Sequence, residues 1–266
     1  MSKSKNSCLM LLFSIVLLVG VVSAQTPSAI EKELLGYLDT MSKAGTYGGE
    51  YNEEKLSAAS DLFKQKLMKY GVRADVLKFS FPKLSESMFI ATSKDGRLRV
   101  YSWDLESGGT MHDYDRVIQF VGSHGKVIAW TDGDENEYDG GGAFYTDVFQ
   151  VASARGPIYL LASTSRASSS LTGATLRVMR VNGNELETKA KMIKTASGLT
   201  NDVSFAYDFF SVVDRPERPI RLFTFNEARK EFKFPVVIED SETPQGRVTN
   251  KSITYRFNGT HFVKVN

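Results

Sequence analysis

Residues 92–109 read TSKDGRLRVYSWDLESGG, and the period of this stretch decides the fold class. Leu98, Val100 and Ser102 fall on one side of an extended chain, and Arg97, Arg99, Tyr101 and Trp103 on the other. Asp95-Gly96 precedes the run and suits a two-residue type I′ turn, whose central residues need positive φ. Gly108-Gly109 closes the far end. The stretch is expected to be a strand with two unlike faces, entered through a tight turn.

Working outward, the same period of two runs from about residue 74 to the C-terminus. ADVLKFSF, MFIATS, RVIQFV, KVIAW, DVFQVA, IYLLAST, TLRVMRV, SFAYDFFSVV, IRLFTF, FKFPVVIE and SITYRF all read as short strands. Turn signals such as Asn182-Gly183 and Asn258-Gly259 separate them. Many strands without intervening helical period predict a mainly β (α+β) protein built on an antiparallel meander. Residues 25–73 differ. Ile30, Leu34, Leu35, Leu38 and Met41 share one helical stripe, and Leu56, Ala59, Leu62, Phe63, Leu67 and Tyr70 another. Pro27, Gly45, Asn52 and Gly71 punctuate the two runs. The expectation is an N-terminal helical hairpin (residues 25–73) packed on an antiparallel β domain (74–266).

SKDGRLRVYSWDLESG, within residues 92–109, resembles the strand–turn–strand core of a WD-type β-propeller blade. Its Ser93 and Asp95 are also spaced as in the Asp-box turn of sialidase-like propellers. The Gly-His pair that precedes a WD-type core is missing, and Gly96 lies one position early for an Asp-box. The block is similar to a segment of exported bacterial proteins as well. LRVYSW, LRVMRVNG, IRLFTFNE and ITYRFNG echo one another, the last three at intervals of roughly 34 to 44 residues, the order of a propeller blade. The resemblance implies a propeller-like arrangement and structural turns, not catalysis. A plain meander of hairpins would give the same echo.

The N-terminus reads as a secretory signal peptide, residues 1–24. Lys3 and Lys5 precede the apolar run Leu9 to Val22, and cleavage is expected after Ala24. The whole chain has 33 basic and 31 acidic side chains. Without Lys3 and Lys5 the two classes balance at 31 each, so no net charge steers the chain toward nucleic acid or anionic membrane. The single cysteine, Cys8, leaves with the signal, which excludes an internal disulfide and cysteine catalysis. No further run reaches membrane-spanning length. The protein is expected to be secreted or periplasmic.

Three constellations carry candidate chemistry. Arg97, Arg99, Tyr101 and Trp103 form a candidate ligand-binding face, able to stack on a sugar ring or a planar acid and grip it with forked hydrogen bonds. The alternative is that Tyr101 and Trp103 pack under the helices with the arginines as a solvated rim. Asp132, Asp134 and Asn136 alternate as the first, third and fifth ligands of a calcium loop do, although Glu137 and Ala143 depart from that pattern. Calcium is the one cofactor this admits. Asp104, Asp113 and Asp115 are dispersed carboxylates that a hydrolase could use. No phosphate-binding glycine loop opens a helix, so nucleotide use is not expected.

These readings favour an exported, non-enzymatic β-protein that binds a ligand, glycan or protein partner in the cell envelope or outside. The alternative is a hydrolase acting on envelope polymer or glycan.

Overall fold

The structure, a computed structural model, describes residues 25–132 and 142–265. The expected signal peptide lies outside them, as do Asp134 and Asn136 of the candidate calcium loop.

Two helices open the described chain. α1 (Pro27–Ala44) starts under the Thr26 side chain, which accepts from Ala29 N, with Pro27 in the first turn where its missing N–H costs nothing. α2 (Glu53–Tyr70) is capped by Asn52, whose Oδ1 accepts from Lys55 N at 2.9 Å. Ile30, Leu34, Leu38 and Met41 of α1 pack with Leu56, Ala59, Phe63 and Leu67 of α2. Leu62 departs from its expected place on that stripe and is 42% exposed. A short α3 (Ala74–Lys78) follows, where ADVLKFSF was expected to be a strand. Val76 and Leu77 are both buried on this single helical turn.

Among the described residues, fifteen strands form three sheets. In the first, β1 (Phe89–Thr92), β2 (Leu98–Asp104), β3 (Tyr114–Val121) and β4 (Val127–Trp130) pair in sequence order, all antiparallel. The second contains β5 (Phe144–Val151), β6 (Ile158–Arg166) and β7 (Leu171–Asn182), with β8 (Glu185–Glu187) hooked onto β7. After β9 (Ile193–Thr195) and β10 (Gly198–Thr200) leave for the third sheet, β11 (Asp202–Asp208) returns to pair with β7. The third sheet adds β12 (Thr224–Asn226), β13 (Glu231–Ile238), β14 (Arg247–Phe257) and β15 (Phe262–Val265) in the order β10-β9-β15-β14-β13-β12. Its β15–β9 pair is the one parallel pairing among the described strands.

The layers stack as helices, first sheet, second sheet, third sheet. Trp103, Tyr101 and Val117 of the first sheet face the helices. Leu98, Val100, Ile118 and Phe120 from its other side meet Tyr145, Val148, Tyr159 and Leu161 of the second. Ile158, Leu160, Leu176 and Val178, on the far side of the second sheet, meet Phe232, Phe234, Tyr255 and Phe262 of the third. Both inner sheets are thus buried on two faces, which is why β2 and β6 are almost wholly apolar or internally bonded.

No closed propeller forms among the described residues. Closure would need the first and last sheets to meet, and α1 and α2 cover the outer face of the first. The Asp95-Gly96 turn also differs from type I′. Gly96 alone has positive φ, at 65°, and the loop runs from Ser93 to Arg97. Ser93 Oγ donates to Asp95 Oδ1 at 2.6 Å and accepts from Leu98 N at 3.0 Å. These side-chain bonds replace the backbone geometry of a two-residue turn.

Candidate functional site

The arginine–aromatic face of β2 is covered. Tyr101 is fully buried, Trp103 is 1% exposed and Arg99 6%, all beneath the helical layer; Arg97 alone is exposed. Phe63 of α2 meets the Trp103 indole edge-on at 4.8 Å. Arg99 spends its guanidinium internally, on Phe79 O at 2.7 Å and Thr92 Oγ1 at 2.8 Å. Alternation put these side chains on one face, and the helices' apolar stripes then required that face as their cover. The face is an interior contact and not a solvent-facing platform.

The same chemistry recurs at one end of the first two sheets. A cavity of about 460 Å³ opens there. Its aromatic wall comes from three strand starts: Phe89 of β1, Tyr114 of β3 and Phe144 of β5. Phe89 and Phe144 stack at 4.1 Å, and Tyr114 meets Phe144 edge-on at 5.1 Å. Arg166, at the end of β6, reaches in with its guanidinium 5.8 Å from the Phe209 ring. Arg218 stands at the exposed rim, held by the carbonyls of Val213, Arg215 and Glu217 at 2.6 to 2.7 Å. Neither arginine pairs with a carboxylate among the described residues.

Tyr114 and Tyr207 flank this charge. Burial pushes each phenol up to about 12, for Tyr114 with help from Asp104; Arg166 opposes the shift in both. Both hydroxyls therefore remain donors at neutral pH. Thr172, also in the wall, is 3% exposed, and its Oγ1 has no partner among the described residues. Two cations without a carboxylate partner among the described residues, two retained phenols and a buried hydroxyl line an aromatic-walled cavity. Such a set can take an anionic group and shield an apolar body attached to it.

The carboxylates separate in role. Asp104 Oδ2 lies 2.5 Å from His112 Nδ1, and the His112 ring stacks with Tyr47 and with Tyr114. His112 N also donates to Arg166 O at 3.2 Å, so the β2–β3 loop is pinned to the cleft. Burial raises Asp113, reinforced by Asp104 and Asp115, while a backbone bond to Tyr114 opposes it. Asp115 pairs with Lys64 of α2 at 3.0 Å. Asp132 pairs with Arg116, and no cluster of three or more metal-ligating side chains occurs among the described residues.

Sequence reasoning missed Phe89, Tyr114, Phe144, Arg166, Thr172, Tyr207 and Arg218. They come from six strand ends and a loop, and no local spacing links them. Comparison of the chain with known protein families, curated proteins and solved structures finds no match.

Proposed function

We propose that this is an exported, non-enzymatic binding protein, and that the cleft at the end of the first two sheets takes a small organic anion with a planar or apolar body. The observation that carries this reading is the pair Arg166 and Arg218, unpaired with carboxylate among the described residues and set against stacked Phe89 and Phe144. Arg166 is half-buried without a carboxylate partner among the described residues, and a bound anion would offset the cost of that partial desolvation, while the exposed Arg218 adds a second positive charge at the rim. The cavity, at about 460 Å³, lies within the range of small-molecule sites.

Titration calorimetry with benzoate and phenylacetate, each against its uncharged amide, tests the reading. The acids are expected to bind at least about tenfold more tightly than the amides, with affinity falling as salt rises and lost in Arg166→Met. Equal binding of acid and amide, or no binding of either, removes it.

A second reading, hydrolysis, rests on the Asp104–His112 contact, which leaves His112 Nε2 available for general-base work. Turnover of 4-nitrophenyl esters or glycosides that disappears in His112→Gln supports it. No turnover across such a panel sinks it.

A further inference from the structure

The strand register of the second sheet gives the cleft a direction. Arg166 of β6 stands opposite Thr172 of β7, and Thr172 stands opposite Tyr207 of β11. Residues paired across neighbouring strands project from one face, so the three side chains form a line with Thr172 in the middle. We propose that the cleft takes an arylalkanoic acid: its carboxylate lies over this line, between the Arg166 guanidinium and the Tyr207 hydroxyl, and its ring lies two methylenes away, against Phe89 and Phe144. The proposal rests on the anion-binding reading above and narrows it from a class of anions to one shape.

Donors that the fold leaves unused fix the carboxylate end. The Arg166 guanidinium has no hydrogen-bond or ion-pair partner among the described residues. Tyr207 is 1% exposed, and its hydroxyl likewise has no partner there. That hydroxyl is not one of the sealed, unpartnered atoms of the described residues, so it opens on the cavity that Tyr207 lines. A guanidinium presents a fork to the two oxygens of a carboxylate, and a phenol donates to either.

Tyr114 brings a second phenol from the first sheet. Burial raises the pKa of both phenols and the Arg166 charge opposes the rise in each, so the three groups share one field. Among the described residues, no aspartate or glutamate lines the cavity. A carboxylate held there meets no like charge in the wall.

Register also sets the spacing. Phe144 of β5 stands opposite Thr164 of β6, two residues before Arg166. Phe144 and Arg166 are therefore diagonal neighbours on one face, about 7 Å apart at Cβ. Phe89 stacks on Phe144 at 4.1 Å, which makes the aromatic wall at that distance from the charge a double one. A carboxylate bonded directly to a ring lies about 1.5 Å from it, so a ring packed on this wall would hold the acid short of Arg166. Two methylenes add two more bonds of that length and close the gap. A longer spacer must fold back or carry the ring off the aromatic pair. Phe209, Pro219 and Ile220 supply the rest of the apolar lining.

Calorimetric titration with benzoate, phenylacetate, 3-phenylpropionate and 5-phenylpentanoate tests the spacing. Affinity is expected to peak at 3-phenylpropionate, about tenfold above benzoate. Tyr207→Phe should weaken 3-phenylpropionate about tenfold, the loss of one hydrogen bond to a charged group. Its melting temperature without ligand should match the parent, since the hydroxyl has no partner to lose. Arg166→Met should abolish binding of the whole series. A series that is flat, falls steadily from benzoate or keeps rising to 5-phenylpentanoate, with binding still lost in Arg166→Met, overturns the proposed shape and leaves the anion reading standing. Unchanged affinity in Tyr207→Phe overturns the placement of the carboxylate. Binding of no acid in the series overturns both readings.

Discussion

Tyr159 of the second sheet donates its phenol hydroxyl to Asp95 Oδ2, in the β1–β2 turn of the first sheet, at 3.0 Å. Burial and the Asp95 charge push the Tyr159 phenol far above its ordinary range, so it stays a donor at neutral pH. Asp95 Oδ1 meanwhile accepts from Ser93 Oγ and Arg97 N. One exposed carboxylate therefore organises its own turn and ties two sheets together. Tyr159→Phe removes one of these bonds and is expected to cost about 1 kcal/mol. Asp95→Ala removes all three and should cost about 2 kcal/mol. Urea midpoints of the two variants check the order; an unchanged midpoint in Tyr159→Phe would show that the bond between the sheets contributes nothing, and equal losses that the two turn bonds contribute nothing.

Arg99 joins the helical layer to the first sheet without a carboxylate partner among the described residues. Its donors reach Phe79 O and Val76 O, at the end of α3, along with Thr92 Oγ1 and the Tyr101 hydroxyl. A cation at a helix C-terminus meets the unpaired carbonyls that a short helix leaves there. Arg99→Ala is expected to lose about 3 kcal/mol, because it removes the buried guanidinium's bonds to Phe79 O, Thr92 Oγ1 and the Tyr101 hydroxyl together. Arg99→Lys should recover little, since one ammonium cannot span Phe79 O and Thr92 Oγ1 together. Full recovery by lysine, read from thermal unfolding, would show that charge alone matters there.

The two-faced strand at residues 98–104 was legible because alternation is a local property. Its apolar and mixed faces both proved buried, so what covered the mixed face depended on the distant stripe of Phe63 and Leu67. ADVLKFSF misled because five residues are too few to tell one helical turn from a strand by period. β8, β9 and β10 went unread for the opposite reason: they are three residues long, and pairing, not side-chain pattern, defines them. The cleft was invisible because Phe89, Phe144 and Arg218 meet only once the sheets stack.

Two glutamates titrate in opposite senses. Burial alone would raise Glu33, but the bonds from Lys66, Tyr70 and Gln25 win and lower it from 4.5. Its stabilising contribution is present above that value and is lost as pH falls through the folded pKa. Glu106 is raised from 4.5 by burial and by Asp104, so its contribution is present below 4.5 and is lost as pH rises through the folded pKa. Glu106→Gln should therefore match the parent in acid and exceed its melting temperature at neutral pH. Glu33→Gln should match it in acid and fall below it at neutral pH. Melting curves across this range check both signs, and parallel behaviour of the two variants would contradict the assignment.

Thr172 offers a test of whether the cleft is shaped for a ligand at the expense of stability. Its hydroxyl is buried in the cavity wall without a partner among the described residues, beside the unpaired Arg166. In an ordinary core position, replacing a bonded threonine by valine loses a hydrogen bond and destabilises the fold. Here valine keeps the shape and removes a desolvated hydroxyl. Thr172→Val is expected to raise stability by up to about 1 kcal/mol in the free protein. The same variant should weaken binding of benzoate or phenylacetate, because the cleft wall loses a hydroxyl beside the guanidinium. Paired denaturation and calorimetric titrations read both effects. A loss of stability with affinity unchanged would show that Thr172 serves packing and takes no part in the cleft's chemistry.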